Sequence, residues 1–198
     1  MFYNIFDTVP ERPVGNSDNL YFVLDGGSLI HHVVWPKQET FGDLYTTYMS
    51  YNKRHYGDEI TVVFDEYTES SVNPNVIERQ RSFSFRKLAG YLENVCICTF
   101  VATDDADVHI VKTTTETYEK IKKQVVIGQD VDILVLPTAL TPDYIDILML
   151  KEGKGKVKDR FYSSKDLQNS NLVMNAKKSI LFVHAISGCD TVSGFYGK

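Results

Sequence analysis

Seven aspartates hold most of the chemistry this sequence could do. They are Asp25 in VLDGGSL, Asp65 in VVFDEY, Asp105 and Asp107 in TDDADVHIV, Asp130 and Asp132 in GQDVDILVL, and Asp190 in HAISGCDT. Asp25 and Asp65 follow directly on an apolar run, and Asp130 and Asp132 come just after another, so these acids fall where a buried element ends. Carboxylates gathered at one rim repel one another unless cations neutralise them. An oxygen-only donor set, with no Cys/His spacing, suits the hard divalent ions Mg²⁺ or Mn²⁺. Two such ions about 3.5–4 Å apart are the arrangement used for in-line cleavage of phosphodiesters. One aspartate after a strand is commonly only a turn residue or a helix cap. The joint pattern is more specific than its parts.

Those acids need elements to position them. Apolar runs predict strands over Asn19–Leu24, Glu59–Phe64, Val95–Val101 and Gln124–Gly128. Helical spacing covers Thr40–Tyr56, with Gly57 as its stop, then Asn75–Tyr91 and Asp104–Lys123, the last with Asp104 or Asp105 near its N-cap. Farther on, Tyr144–Leu150 reads as a strand, Glu152–Lys156 as a turn, Val157–Tyr162 as the hairpin partner and Asn175–Ser187 as a helix. Strands alternating with helices predict a three-layer α/β/α domain with a central, mostly parallel twisted sheet. It would span residues 1–198, with 1–18 as an irregular N-terminal arm. Ligands of such sheets bind outside the carboxyl ends of the strands, where Asp25, Asp65, Asp130 and Asp132 fall. Residues two apart on a helix point nearly opposite ways, so Asp105 and Asp107 share a site only by straddling a helix entrance.

Composition narrows the class. The formal net charge of −5 disfavours a protein that coats nucleic acid by bulk positive charge, yet is compatible with acids concentrated in a metal site. No apolar run reaches the roughly 20 residues that span a bilayer, and MFYNIFDTVPERPVG has no signal-peptide pattern. Three cysteines, Cys96, Cys98 and Cys189, argue for a reducing compartment, nucleus or cytoplasm, over a disulfide scaffold.

Other motifs have plainer readings. Cys96-x-Cys98 would present both thiols on one face of a strand, but the spacing does not match a zinc knuckle. His31-His32 reads as a surface or partly buried pair. Glu152-Gly-Lys-Gly-Lys156 lacks the spacing of a phosphate loop. Phe83 and Phe85, interleaved with Arg81 and Arg86, either stack unpaired bases or form a helix's core-facing side.

The five acid-bearing motifs, in this order over Leu20 to Thr191, resemble the flap endonuclease/XPG-like branch of the PIN-like nucleases. The runs VLDGGSLIHHVVWP and LFVHAISGCDTVSGFYGK also look similar to transposon-associated animal proteins of this type. The resemblance implies a structure-selective nuclease using two Mg²⁺ or Mn²⁺ ions on DNA or RNA, with DNA ahead of RNA. It implies that Asp25, Asp65, Asp105 and Asp107 hold one ion, directly or through water, and that Asp130, Asp132 and Asp190 hold the second. It places a basic gateway at Arg79, Arg81, Arg86 and Lys87, where arginine can clamp a phosphate bidentately.

The sequence also departs from the family's pattern. Asp105 and Asp107 stand where glutamates are usual, Glu66 where glycine is common and Thr191 where tyrosine is common. The segment between Asp65 and Asp105 is short for a large arch, and Lys198 falls where a duplex-binding helix–turn–helix would begin. A non-catalytic module that binds nucleic acid or a protein partner is the alternative these departures favour. A phosphatase using an Asp-x-Asp pair ranks last, because the first strand ends only in Asp25-Gly-Gly.

Overall fold

An apolar hexapeptide that ends in acid, Leu20–Asp25, forms the first strand, β1, of an α/β fold. The computed structural model describes residues 9–12, 20–33, 40–65, 76–103, 106–121, 124–128, 132–151 and 158–176. The chain divides into two compact units, one of Leu20–Thr113, the other of Met1–Asn19 with Thr114–Lys198. Among the described residues no helix is long and apolar enough to cross a membrane.

In the first unit, β1 is followed by α1 (Gly26–His32), α2 (Phe41–Tyr56), β2 (Ile60–Asp65), α3 (Val76–Asn94), β3 (Cys98–Ala102) and the start of α4 (Ala106–Ile121). Its strands lie in the order β3-β2-β1. All are parallel, with Phe22 opposite Ile60, Asp25 opposite Val63, Thr61 opposite Cys98 and Asp65 opposite Ala102. Parallel strands covered on both faces read as continuous apolar runs. Accordingly Phe22, Val23, Leu24, Val62, Val63 and Phe64 are all buried, along with Leu29, Tyr48, Leu88 and Leu92 from the helices.

Local chemistry sets the helix ends. Thr40 and Asp43 form a reciprocal capping box at the start of α2. Gly57, at φ 83°, ends that helix where the sequence placed its stop. The strand expected from Val95 instead begins at Cys98, because α3 runs on to Asn94 and then closes in a Schellman turn. There Ile97 N donates to Leu92 O at 3.0 Å and Cys96 N to Glu93 O at 3.0 Å, while Cys96 takes the left-handed φ of 62°. Cys96 therefore sits in a turn and Cys98 in a strand, both exposed, and the expected thiol pair on one strand face does not form.

In the second unit, β4 (Gln124–Gly128) pairs in parallel with β5 (Leu148–Lys151), and β5 pairs antiparallel with β6 (Arg160–Ser163), giving the expected hairpin. The turn expected at 152–156 lies outside the described residues, as does most of the helix expected over 175–187. Three helices were not anticipated as such: α5 (Asp132–Leu140), α6 (Ser164–Gln168) and α7 (Asn171–Ala176). Val9, Met149, Tyr162 and Leu167 form one buried cluster, and Arg12 ties the N-terminal segment down. Its backbone N donates to Phe161 O at 2.9 Å and its guanidinium grips Asp166 at 2.7 and 3.1 Å.

The α5 helix carries Pro137 in its interior and ends just before Pro142. A proline at 142 cannot donate the N–H that the Thr138 carbonyl would otherwise accept. The buried Gln168 amide supplies it, donating from Nε2 to Thr138 O at 3.1 Å and to Thr141 O at 3.0 Å.

Candidate active site

The carboxyl edge of the first unit's sheet is built around the Asp25-Gly-Gly turn. Asp25 is both the last residue of β1 and the N-cap of α1, its Oδ1 accepting from Gly27 N at 2.8 Å. Gly26 has no alternative, since a Cβ there would overlap the buried ring of Phe64. Phe64 in turn stacks on Phe85 of α3, with ring centroids 5.6 Å apart and planes at 29°. Of the two roles open to Phe85, the structure assigns the core-facing one.

Behind this turn stands Tyr48 of α2, fully buried, its phenol donating to Gly26 O at 3.3 Å. Burial pushes the Tyr48 pKa far above its ordinary value of 10.0, and the charge of Asp25 acts in the same direction. One helical turn on, Asn52 is also fully buried. Its carboxamide opposes that shift more than the Asp25 charge adds to it, yet among the described residues neither its Nδ2 nor its Oδ1 has a partner in hydrogen-bonding geometry.

Asp65 ends β2 opposite Ala102, two positions beyond the partner of Asp25 on the adjacent strand. Asp107, half-buried, is in the first turn of α4, just past the end of β3. Negative charge is favourable at that position of a helix. The backbone thus brings Asp25, Asp65 and Asp107 to the same end of three parallel strands. In the second unit Asp132 opens α5 after β4. Asp105, Asp130 and Asp190 lie outside the described residues, as do the side chains of Asp65 and Asp132.

The basic positions fall on α3. Arg86 and Lys87 are exposed, whereas of Arg79 and Arg81 only the helical backbone is described. Tyr45 and Thr46 of α2 hold this helix through Tyr91: the two tyrosine rings are 5.4 Å apart, and Thr46 Oγ1 lies 3.2 Å from the Tyr91 hydroxyl. His32 is exposed and His109 rests on Phe100 with centroids 5.0 Å apart. Among the described residues no group of three or more His, Cys, Asp or Glu could hold a metal ion. The described acids of this edge, Asp25 and Asp107, offer carboxylate oxygens only, a donor chemistry that suits Mg²⁺ or Mn²⁺.

Sequence reasoning passed over Gly26, Phe64, Tyr48 and Asn52. The available signal was the pair of glycines after Asp25, which marks a close backbone approach. In helical spacing Tyr48 reads only as an apolar position of α2.

The sequence matches no family model and no curated protein. Solved structures do match the fold. The catalytic core of Rad2 in complex with DNA substrate is similar at a TM-score of 0.57 and 14% identity, over 98% of this chain and 64% of that one. Human GEN1 in complex with Holliday junction DNA is similar at a TM-score of 0.52 and 12% identity, over 98% of this chain and 52% of that one. This chain therefore spans less than two thirds of either. The fold is the PIN-like fold of flap endonuclease/XPG type, as the order of the acidic motifs implied.

Proposed function

We propose that the protein is a divalent-metal-dependent nuclease that hydrolyses phosphodiester bonds. The observation that carries this reading is the register of the first unit, which ends adjacent parallel strands in Asp25 and Asp65 with Asp107 in the first turn of the helix after the third. The fold likeness to Rad2 and GEN1, each solved with DNA, supports a nucleic-acid substrate, and DNA is proposed ahead of RNA. Asp25, Asp65, Asp105 and Asp107 would hold one Mg²⁺ or Mn²⁺ ion, and Asp130, Asp132 and Asp190 the other. Bound there, such ions supply an activated water and offset charge on the leaving oxygen. The chain's own part is to fix those carboxylates on rigid strand ends and to hold the phosphate. Exposed Arg86 and Lys87 on α3, with Arg79 and Arg81 on the same helix, would neutralise the phosphoryl oxygens.

The test is cleavage of flap, hairpin and single-stranded DNA and RNA with Mn²⁺, beside the double variant Asp130→Asn/Asp132→Asn. Loss of at least a hundredfold in rate is expected on removing these charges, and equal cleavage by both proteins rules the assignment out. A non-catalytic nucleic-acid-binding or interaction module is the second reading. It is favoured by the bond from Gly27 N to Asp25 Oδ1, which engages one carboxylate oxygen as a helix cap. Calorimetry separates the two: the nuclease binds Mn²⁺ and the module does not.

A further inference from the structure

Asn52 is an expensive residue to bury. Leaving a buried amide N–H or C=O without a partner costs the full desolvation of that group, and here both ends of the carboxamide are enclosed and, among the described residues, unpaired. An apolar side chain of similar size would fill the same space without that penalty. What the amide does have is a neighbour: it stands one turn from Tyr48, close to the phenol that donates to Gly26 O behind the Asp25 turn. Gly26 is also pressed by Phe64, so the turn has a ring against it and a hydroxyl bonded to it.

We infer that Tyr48 and Asn52 are positioning residues, two buried polar side chains one helical turn apart that fix the Asp25-Gly26-Gly27 turn and with it the direction of the Asp25 carboxylate. Tyr48 holds the Gly26 carbonyl, and Asn52 biases the phenol toward that carbonyl. The consequence for metal binding rests on the nuclease reading above. The consequence for the turn does not.

The experiment uses Tyr48→Phe and Asn52→Leu, each checked for intact fold by circular dichroism and thermal melting. Amide hydrogen exchange at Gly27, whose N–H is bonded to Asp25 Oδ1, reports on the turn in metal-free protein. Mn²⁺ titration calorimetry reports on the carboxylate. Exchange at Gly27 about five- to tenfold faster in both variants is expected, the size of one lost hydrogen bond, with Mn²⁺ bound correspondingly more weakly. Asn52→Leu should also melt no lower than the parent, an outcome a merely structural residue would not give. Unchanged exchange at Gly27 in both variants overturns the inference. Faster exchange in a protein whose parent form binds no Mn²⁺ sustains the positioning role and removes the nuclease reading instead.

Discussion

Two pentapeptides of this chain are almost the same and fold differently. Asp132-Ile-Leu-Val-Leu136 lies in helix α5, whereas Asp146-Ile-Leu-Met-Leu150 leads into and forms strand β5. The contexts decide. Beyond Leu136 the chain continues helically to Leu140, and the carbonyls orphaned near its end find the Gln168 amide. Ahead of Asp146, a tight turn from Pro142 to Ile145 sets the chain up for pairing, and β6 supplies an antiparallel partner. The two acids part company as well. Asp146, at the amino end of its strand, accepts from Ser163 Oγ at 2.6 Å, Ser164 Oγ at 3.4 Å and Lys165 N at 3.3 Å. It is a structural staple. Asp132 opens its helix after the carboxyl end of β4, on the side where such sheets place their ligands.

That contrast can be broken by matched substitutions. Asp146→Ala should cost about 2–4 kcal/mol, since it strips the acceptor from hydroxyls of buried Ser163 and Ser164. Asp132→Ala should cost less than about 1 kcal/mol, the worth of one acid at a helix N-terminus. Urea midpoints at constant m-value read both, and equal losses would erase the distinction between staple and site. Gln168→Leu tests what keeps the first pentapeptide helical. Two buried carbonyls lose their donor, and a loss of about 2–3 kcal/mol is expected.

Smaller effects sharpen the same lesson in the first unit. Cys96→Gly relieves a left-handed residue in the turn after α3, and should stabilise by about 0.5–1 kcal/mol. Smallest is the capping box of α2. Thr40 hydrogen bonds hold the Asp43 pKa below its ordinary 3.8, so its contribution to stability is complete above that value and fades as pH falls through the lower folded one. Thermal melts of Asp43→Asn should run slightly below the parent at neutral pH and converge with it in acid.

The comparison also explains what the sequence could disclose. The first four strands and three long helices were legible because apolar runs and periodic faces recur over many residues, with stop signals such as Gly57. The α5 helix was not, since an apolar nonapeptide with an internal proline satisfies no single period. Nor was the start of β5, where Ile145 and Asp146 read as strand but serve the preceding turn and the α6 entrance. For the candidate site, Asp25 and Asp65 were visible as strand-end residues and Asp107 as an acid at a helix entrance. Their supports were not, because a buried tyrosine in a helix looks the same in sequence whether it fills space or holds a carbonyl.

One aromatic ring ties three pieces of this molecule together. Phe64 directly precedes Asp65, abuts the glycine after Asp25 and lies flat against Phe85, the residue before Arg86. Anyone transplanting these acids into another scaffold would have to carry that phenyl group and its glycine along. Without them, the carboxylates and the cationic helix would have no common reference surface.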